Sequence, residues 1–435
     1  MVILPKYKNK KIAIYGMGKT GFSAAKFLIK QKAKIFCWDD NKKIRKKIKK
    51  LDLPLSKFWL NKDLVDNIVI SPGIDVNKCK IKNYLKKNFS KIITDIDIFF
   101  ELNKSAKIIA ITGTNGKSTT CKIIEKILNT AGHKAKTVGN IGSPILSFNN
   151  IKKKYFYILE LSSYQLQYSK VVRFKHAAIL NISPDHLDRH KNIKKYVEVK
   201  SKIFLSQEKS DYTYINSTNK HSSTIKRIFK RKKIKSNLIE INTSMLKSIY
   251  TKIKSHNFKS QGNIENLAFA YSIVKKLKIN DKIIIKAINN FKGLPHRQKI
   301  IFLNNKITCV NDSKATSFDA CLQSLSVFSK IYWIVGGIPK KNDTFNINKI
   351  SKNITKAYII GRSTNFFVKK IKNKVSYKIS NTIGKAVKYI FNDIKKEKDS
   401  RLTILFSPGA ASYDQFKNFE ERGNYFNKLI KKIYK

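Results

Sequence analysis

Acidic residues are scarce in this chain: 28 Asp+Glu stand against 90 Lys+Arg over 435 residues, a formal net charge of +62. Cysteines are few as well, and none of Cys37, Cys79, Cys121, Cys309 and Cys321 forms a CxxC pair with another. An odd, scattered set of that kind argues against a disulfide framework or a cysteine-built zinc site, and predicts reduced, mostly buried thiols. No apolar run reaches the ~18 residues that a membrane-spanning helix needs, so no membrane insertion is expected. The opening residues carry no apolar h-region of signal-peptide length ahead of Lys6, Lys8, Lys10 and Lys11, which predicts no secretory leader and a cytoplasmic protein. Internal repeats and low-complexity linkers are missing too, so boundaries must come from the motifs.

The cation excess invites a nucleic-acid reading, because such a field gathers polyanions. The sequence lacks the RNP, zinc-finger and basic-zipper patterns that would give the charge a recognition element. Lysine is instead spread along the whole chain among Ile and Asn. In the dense runs 42–50 and 226–235, Ile or Phe recur at intervals that suit a helix face, which reads as solvated surface. No nucleic-acid partner is therefore expected, although a basic surface favours small anionic substrates such as nucleotides.

What is present is a recurring unit: a short apolar run, a glycine-containing turn, then a longer amphipathic stretch. That alternation predicts an α/β fold with parallel sheets, and the hydrophobic fraction of 42% suffices for ordinary cores. Three blocks separate, at 1–104, 105–295 and 296–435. The first holds strands at Lys11–Tyr15 and 35–38, with a helix through Lys30 between them. The second opens on a buried strand at Lys107–Thr112. The third contains strand-like runs at 332–335, 357–360 and Leu402–Phe406, each followed by Gly or Ser-Pro-Gly.

The strongest local motif follows Thr112: Gly113, Thr114, Asn115, Gly116, Lys117, Ser118, Thr119. Small residues let backbone N–H groups turn inward around phosphate oxygens, and the helix that follows places its positive end on the anion. Lys117 then suits the β/γ-phosphates and the Ser118 hydroxyl suits Mg2+. It is a variant phosphate loop, since Ile111 stands where the common form has its first glycine. Glu160 ends the apolar run 157–160, a place from which P-loop enzymes hold the metal. Residues 181–190 then bring Asp185, His186, Asp188 and His190 close together. Near the start, Gly16, Gly18 and Gly21 with Asp39 form a GxGxxG pattern, which alone is a weak dinucleotide signal.

Taken in order, 112–119, Glu160 through Leu166, 181–189, Gly262 through Asn266, Gly293 through Arg297 and Asn311 through Thr316 resemble the Mur ligase family, and the resemblance covers essentially the whole chain. It implies three α/β domains: a Rossmann-like UDP-binding domain, a central P-loop ATPase domain and a Rossmann-like C-terminal domain for the incoming amino acid. It implies ATP as co-substrate on residues 113–119, with Asn266 at the adenine and Arg297, Asp312 and Lys314 gripping the nucleotide. Two Mg2+ sites are implied, on Ser118, Glu160, His186 and Lys200, the last of these carbamylated in that family; a carbamate would make the lysine an anionic oxygen ligand. Lys117, His186, Lys200, Arg297 and Lys314 are the implied catalytic set. Gly18, Lys19, Thr20, Asp39, Ser71, Pro72, Gly73 and Asn140 are implied for the UDP-sugar.

The segment 407–423, from Ser407, Pro408 and Gly409 through Ser412, Phe419 and Arg422 to Gly423, resembles the branch of that family that adds D-glutamate. The Asn-Pro-Arg motif of the branch that adds diaminopimelate or lysine is missing. The resemblance therefore implies an ATP-dependent ligase joining D-glutamate to UDP-N-acetylmuramoyl-L-alanine through an acyl phosphate. Lys314, Thr316, Ser412 and Phe419 would take D-glutamate. A monomer with hinges near Ser105 and Pro295 is expected. Three departures stand out: Asn41 where the family often has Arg, Gly262 where a His is common, and Ile338-Pro339 after Gly336-Gly337, with Lys340 retained. The competing readings are a sister ligase, such as another Mur enzyme or folylpolyglutamate synthase, and a basic nucleic-acid-binding protein.

Overall fold

The computed structural model describes residues 5–60, 65–102, 107–140, 144–147, 155–170, 172–340, 343, 346–348, 350–397 and 401–434. The boundary expected at 104/105 and the hinge expected near Ser105 lie outside the described residues. Among the described residues three sheets form. The first contains β1 (Lys11–Tyr15), β2 (Lys34–Trp38), β3 (Asn67–Ile70) and β4 (Ile92–Ile93), in the order β2-β1-β3-β4 and all parallel. The second contains β5 (Lys107–Thr112), β6 (Ala135–Gly139), β7 (Phe156–Glu160), β8 (His176–Ile179), β9 (Tyr212–Asn216) and β10 (Asn237–Ile241). Its order is β10-β9-β8-β5-β7-β6, again all parallel.

The third sheet contains β11 (Lys299–Leu303), β12 (Ile307–Asn311), β13 (Ile331–Gly336), β14 (Ile354–Ile360), β15 (Tyr377–Asn381) and β16 (Leu402–Phe406). Its order is β11-β12-β16-β13-β14-β15. β11 pairs antiparallel with β12, and the other neighbours are parallel. The helices are what make these strands read as continuous apolar runs, because a parallel sheet covered on both faces buries both sets of alternating side chains. In the third sheet Trp333, Val335, Ala357, Ile359 and Leu405 share one core with Phe318 and Leu325 of helix Phe318–Val327. The intervening Tyr332, Ile334, Tyr358, Ile360, Ile404 and Phe406 share the other with helices Ile383–Lys395 and Phe419–Ile433.

The lysine runs are helix surfaces. In Lys42–Lys50 only Ile48 is buried, and in Ser222–Arg231 the buried side chains are Ser222, Ile225 and Ile228. Most of the lysines therefore point to water while a narrow apolar stripe faces the core. Four of the five thiols are buried and all are free.

The chain divides into two compact units, one of Met1–Ile253 with Glu265–Asn289 and the other of Lys254–Ile264 with Asn290–Lys435. Inside the first, the segment after β4 is tied to the loop after helix Ser163–Tyr168. Asp97 Oδ2 accepts from Thr94 N at 2.7 Å and Thr94 Oγ1 at 2.9 Å, while its Oδ1 accepts from Lys170 N at 2.7 Å. Asp95 opens the helix Asp95–Leu102 that also carries Asp97; it is 2% exposed, and its Oδ1 has no hydrogen-bond partner among the described residues. Burial, reinforced by Asp97, pushes its pKa from the ordinary 3.8 up to about 7. A carboxyl raised in this way contributes full stability only below its ordinary pKa, and loses it as the pH climbs through the raised value. Asp95→Asn should therefore gain thermal stability relative to the parent as the pH is taken from about 5 to about 8.5. Melting curves of both proteins across that range check it; a constant difference would place the strain elsewhere.

Candidate active site

The loop after β5 is built by close approach. Gly116 has φ 82°, and a Cβ there would stand 2.0 Å from Asn266 Oδ1, so only glycine fits. Asn266 is held in turn by Thr120 Oγ1, which donates to its Oδ1 at 3.2 Å. On the other side Asn181 fastens the loop: its carbonyl accepts from Thr114 N at 2.9 Å and its side-chain oxygen from Asn115 N at 2.8 Å. Ser183 N donates to Thr114 Oγ1 at 3.0 Å. The helix Lys117–Thr130 begins directly after Gly116 with Lys117, Ser118 and Thr119 in its first turn, where the positive end of the helix dipole favours an anion.

Two amines converge on this loop. Lys117 Nζ donates to Gly113 O at 2.8 Å and Thr114 O at 2.7 Å. Lys200 Nζ donates to the same Gly113 O at 2.9 Å and to Thr112 Oγ1 at 3.2 Å. Lys200 lies on helix Ile193–Ser201 and is 1% exposed. Burial, then the charge of Lys117, holds its amine well below the ordinary lysine range, against the opposing pull of Asp185 and Glu160. Glu160, buried at the end of β7, accepts from Ser118 Oγ at 2.7 Å and Asn140 Nδ2 at 2.8 Å. His186 has φ 54°, and its Nδ1 lies 2.9 Å from Tyr164 OH while Asp185 Oδ2 is 3.4 Å from its Nε2. The structure thus gathers Gly113–Thr119 positions, Asn140, Glu160, Lys200 and Asn266 around one loop.

A second cluster lies at the C-terminal ends of β1, β2 and β3. Asp39 accepts from Met17 N at 2.7 Å and Asn41 N at 2.8 Å, and Ser71 Oγ donates to Gly16 O at 2.5 Å. Gly18 precedes helix Lys19–Lys30 with no side-chain cap, so the amides at Lys19 and Thr20 start that helix without a side-chain partner from the cap. Gly18, Lys19 and Gly73 are exposed and Pro72 is half-buried. Asn41 has a local duty that explains its departure from the family pattern: its side chain caps helix Lys42–Lys50 by accepting from Lys43 N at 2.9 Å. The nearby cation is Arg45, which donates to the carbonyls of Asp39 at 2.8 Å and Asp40 at 2.9 Å and lies 4.8 Å over the Trp38 ring.

The third cluster belongs to the other unit. Lys314 Nζ lies 3.6 Å over the Phe419 ring, and Ser313 Oγ donates to Phe419 O at 2.8 Å. Lys314 N donates to His296 O at 3.0 Å, beside Arg297. A Cβ on Gly423 would stand 2.2 Å from His296 Nδ1, which is why a glycine stands inside helix Phe419–Ile433. Asp312 is buried: Ser324 Oγ and Ser407 Oγ donate to its Oδ2 at 2.7 and 2.9 Å, and Gln298 N to its Oδ1 at 3.1 Å. Burial raises its pKa to about 6 against those three bonds. Ser412 is buried and Thr316 half-buried.

Two arginines with structural weight escaped the sequence reading. Arg189 donates to Gln167 Oε1 at 2.8 Å and Ile74 O at 2.5 Å, joining the segment of His186 to the loop of Ser71. Its only sequence signal was its place in the 181–190 motif. Arg422 was quoted inside the 407–423 segment without a duty; an arginine on the core side of an amphipathic helix is the signal that was available.

A family model described as the Mur ligase middle domain matches residues 111–286, and one described as the Mur ligase MurD-like N-terminal domain matches residues 10–93. The chain is 37% identical over 447 residues to the UDP-N-acetylmuramoylalanine--D-glutamate ligase of Rickettsia felis, covering 98% of each chain. It is 38% identical to the protein of the same name from Rickettsia prowazekii, covering 98% of this chain and 99% of that one. Among solved structures, MurF from Acinetobacter baumannii shares the fold with a TM-score of 0.59 at 14% identity, over 86% of this chain and 92% of that one. The chain belongs to the Mur ligase family, whose members are ATP-dependent amide-bond-forming enzymes. Within it, the two Rickettsia relatives both carry the name of the D-glutamate-adding ligase.

A second departure, Gly262, is matched by a partner. A Cβ at Gly262 would lie 1.7 Å from Gln323 Oε1, so Gln323 fills the space that a larger residue would occupy. Gly262→His should cost about 1–3 kcal/mol of stability through overpacking, and Gln323→Ser in the same protein should restore most of it. Urea midpoints of the parent, the single and the double variant measure this, and additive losses would show that the two positions do not compete.

Proposed function

We propose that the chain joins D-glutamate to UDP-N-acetylmuramoyl-L-alanine at the expense of ATP. The observation that carries this reading is the braced loop at Gly113–Gly116 with Lys117, Ser118 and Glu160 around it, in a chain whose near full-length relatives bear that name. A carboxylate does not form an amide in water without activation. The terminal phosphoryl group of ATP passes to the alanyl carboxylate, giving an acyl phosphate. The amine of D-glutamate attacks the acyl carbon, and phosphate leaves the tetrahedral intermediate. The protein's part in such a reaction is positioning and charge neutralisation.

The reading gives residues 113–119 to the phosphates, Asn266 to the adenine, and Arg297, Asp312 and Lys314 to the nucleotide from the C-terminal part. Lys117, Arg297 and Lys314 offset charge on the moving phosphoryl group. Gly18, Lys19, Thr20, Asp39, Ser71, Pro72, Gly73 and Asn140 take the UDP-sugar, and Lys314, Thr316, Ser412 and Phe419 take D-glutamate. The domain limits 1–104, 105–295 and 296–435 belong to the same proposal, as do a cytoplasmic location and a monomer.

The Ser118 hydroxyl sits 2.7 Å from a Glu160 carboxylate oxygen, a pair of hard oxygen donors that fits Mg2+. His186 and Lys200 complete the proposed metal residues. A bound magnesium ion would neutralise phosphate charge in this pocket. The low amine pKa of Lys200 supports its carbamylation: a neutral amine attacks CO2, forms an N–C bond and releases one proton, leaving an anionic oxygen group.

The decisive test is phosphate release from ATP with UDP-N-acetylmuramoyl-L-alanine, offering D-glutamate, L-glutamate, L-lysine or meso-diaminopimelate in turn. Release is expected only with the UDP-sugar and D-glutamate together; release with another acceptor would reassign the substrate, and none at all would favour the nucleic-acid reading. In the same assay Lys117→Ala should fall by about 10³-fold or more with its circular dichroism unchanged. Lys200→Ala should lose activity comparably, and native mass spectrometry of the parent in bicarbonate should show the mass of one added CO2 that the variant lacks.

A further inference from the structure

Arg422 is 1% exposed, yet no described carboxylate bonds to it. Its Nε donates to Ser313 Oγ at 3.2 Å, and its Nη2 donates to Ser313 O and Ala410 O, both at 2.9 Å. Its Nη1 is buried with no hydrogen-bond partner among the described residues and faces the turn of Gly337, where an added Cβ would lie 3.3 Å away. The carboxylate whose charge acts on it is Asp414, whose own oxygen accepts from Arg362 N at 3.0 Å. Burial lowers the guanidinium pKa to about 10, still charged at neutral pH. An isolated buried cation is costly in a protein interior unless something negative comes to it.

Its position gives the charge a purpose. Arg422 lies one helical turn beyond Phe419, grips the residue before Lys314, and grips the segment that leads to Ser412. Those are the segments to which the proposed function assigns the amino-acid acceptor, and the inference rests on that reading. We infer that Arg422 is a positioning residue of the acceptor site: its planar fork holds the Ser313 and Ala410 segments to the helix of Phe419, and its uncompensated charge selects an acceptor with a second carboxylate. An acceptor with one carboxylate fewer brings less attraction to a site whose surroundings already leave a cation unpaired. Lysine cannot replace the fork, because its ammonium lacks the planar pair of donors, but it retains the charge.

The test compares D-glutamate with D-glutamine, which has the same shape with the side-chain carboxylate made neutral. The parent first has to turn over D-glutamate with the UDP-sugar; failure there refutes the ligase reading and takes this inference with it. Given turnover, Arg422→Gln should raise KM for D-glutamate about tenfold or more, with KM for ATP within about twofold of the parent. Its preference for D-glutamate over D-glutamine in kcat/KM should shrink, while Arg422→Lys should keep most of that preference. Should the Gln variant not fold, Arg422→Met provides the same neutral comparison with a side chain that packs. An unchanged D-glutamate to D-glutamine ratio in the folded neutral variant, or equal weakening of ATP and D-glutamate, overturns the inference and leaves Arg422 a structural staple.

Discussion

Two lysine amines share one carbonyl oxygen, that of Gly113, at 2.8 Å from Lys117 and 2.9 Å from Lys200. Like charges at such a spot repel strongly when one of them is shut away from water. The fold eases the conflict by burying Lys200, which together with the charge of Lys117 holds its amine well below the ordinary lysine range, while Lys117 stays at the partly open side of the loop. Everything around them serves that arrangement. Asn181 and Ser183 fix the loop backbone, Gly116 lets Asn266 approach it, and Glu160 holds Ser118 at the end of the neighbouring strand. A loop that concentrates amines and a helix N-terminus in this way is set up to receive negative charge, which is what the proposed phosphate binding and the proposed carbamate each supply.

Much of this architecture was legible before any coordinates. The strands at Lys11–Tyr15, Lys107–Thr112 and Leu402–Phe406 coincide with their apolar runs, because each is short, buried on both faces and ended by a glycine or a Ser-Pro-Gly turn. The basic runs were legible as helix surfaces because their apolar residues kept helical spacing. The antiparallel strand β11 was not anticipated, although Asn304 between the apolar runs of β11 and β12 marks the hairpin turn. A pattern search tuned to βα units passes over a single hairpin at a sheet edge.

Other features could not be read from local sequence at all. Asp312 looks like a free acid in its motif, but its oxygens are taken by Ser324, Ser407 and the amide of Gln298. The glycine of 419–423 makes sense only once His296 is packed on it, and Gly262 only once Gln323 is seen in the adjoining space. Each of these depends on a pairing between segments far apart in the chain, and a single sequence carries no record of which segments meet. Asn41 is a milder case: its departure from the family pattern is explained by a helix cap two residues away, a rule that local sequence does contain.

The scarcity of carboxylates has a consequence for how the molecule's field behaves in solution. With 90 Lys+Arg, 28 Asp+Glu and 7 His, few groups titrate between the carboxylate and lysine ranges. The long-range attraction for multiply charged anions is therefore almost indifferent to acidity across neutral pH. Dissolved electrolyte is the variable that governs it, because mobile ions shorten its reach to about 8 Å at physiological strength. Encounter rates with nucleotide and UDP-sugar would then be set by the salt of the compartment, whereas the Lys200 amine, buried behind the loop, keeps its contact with Gly113 largely beyond that screening.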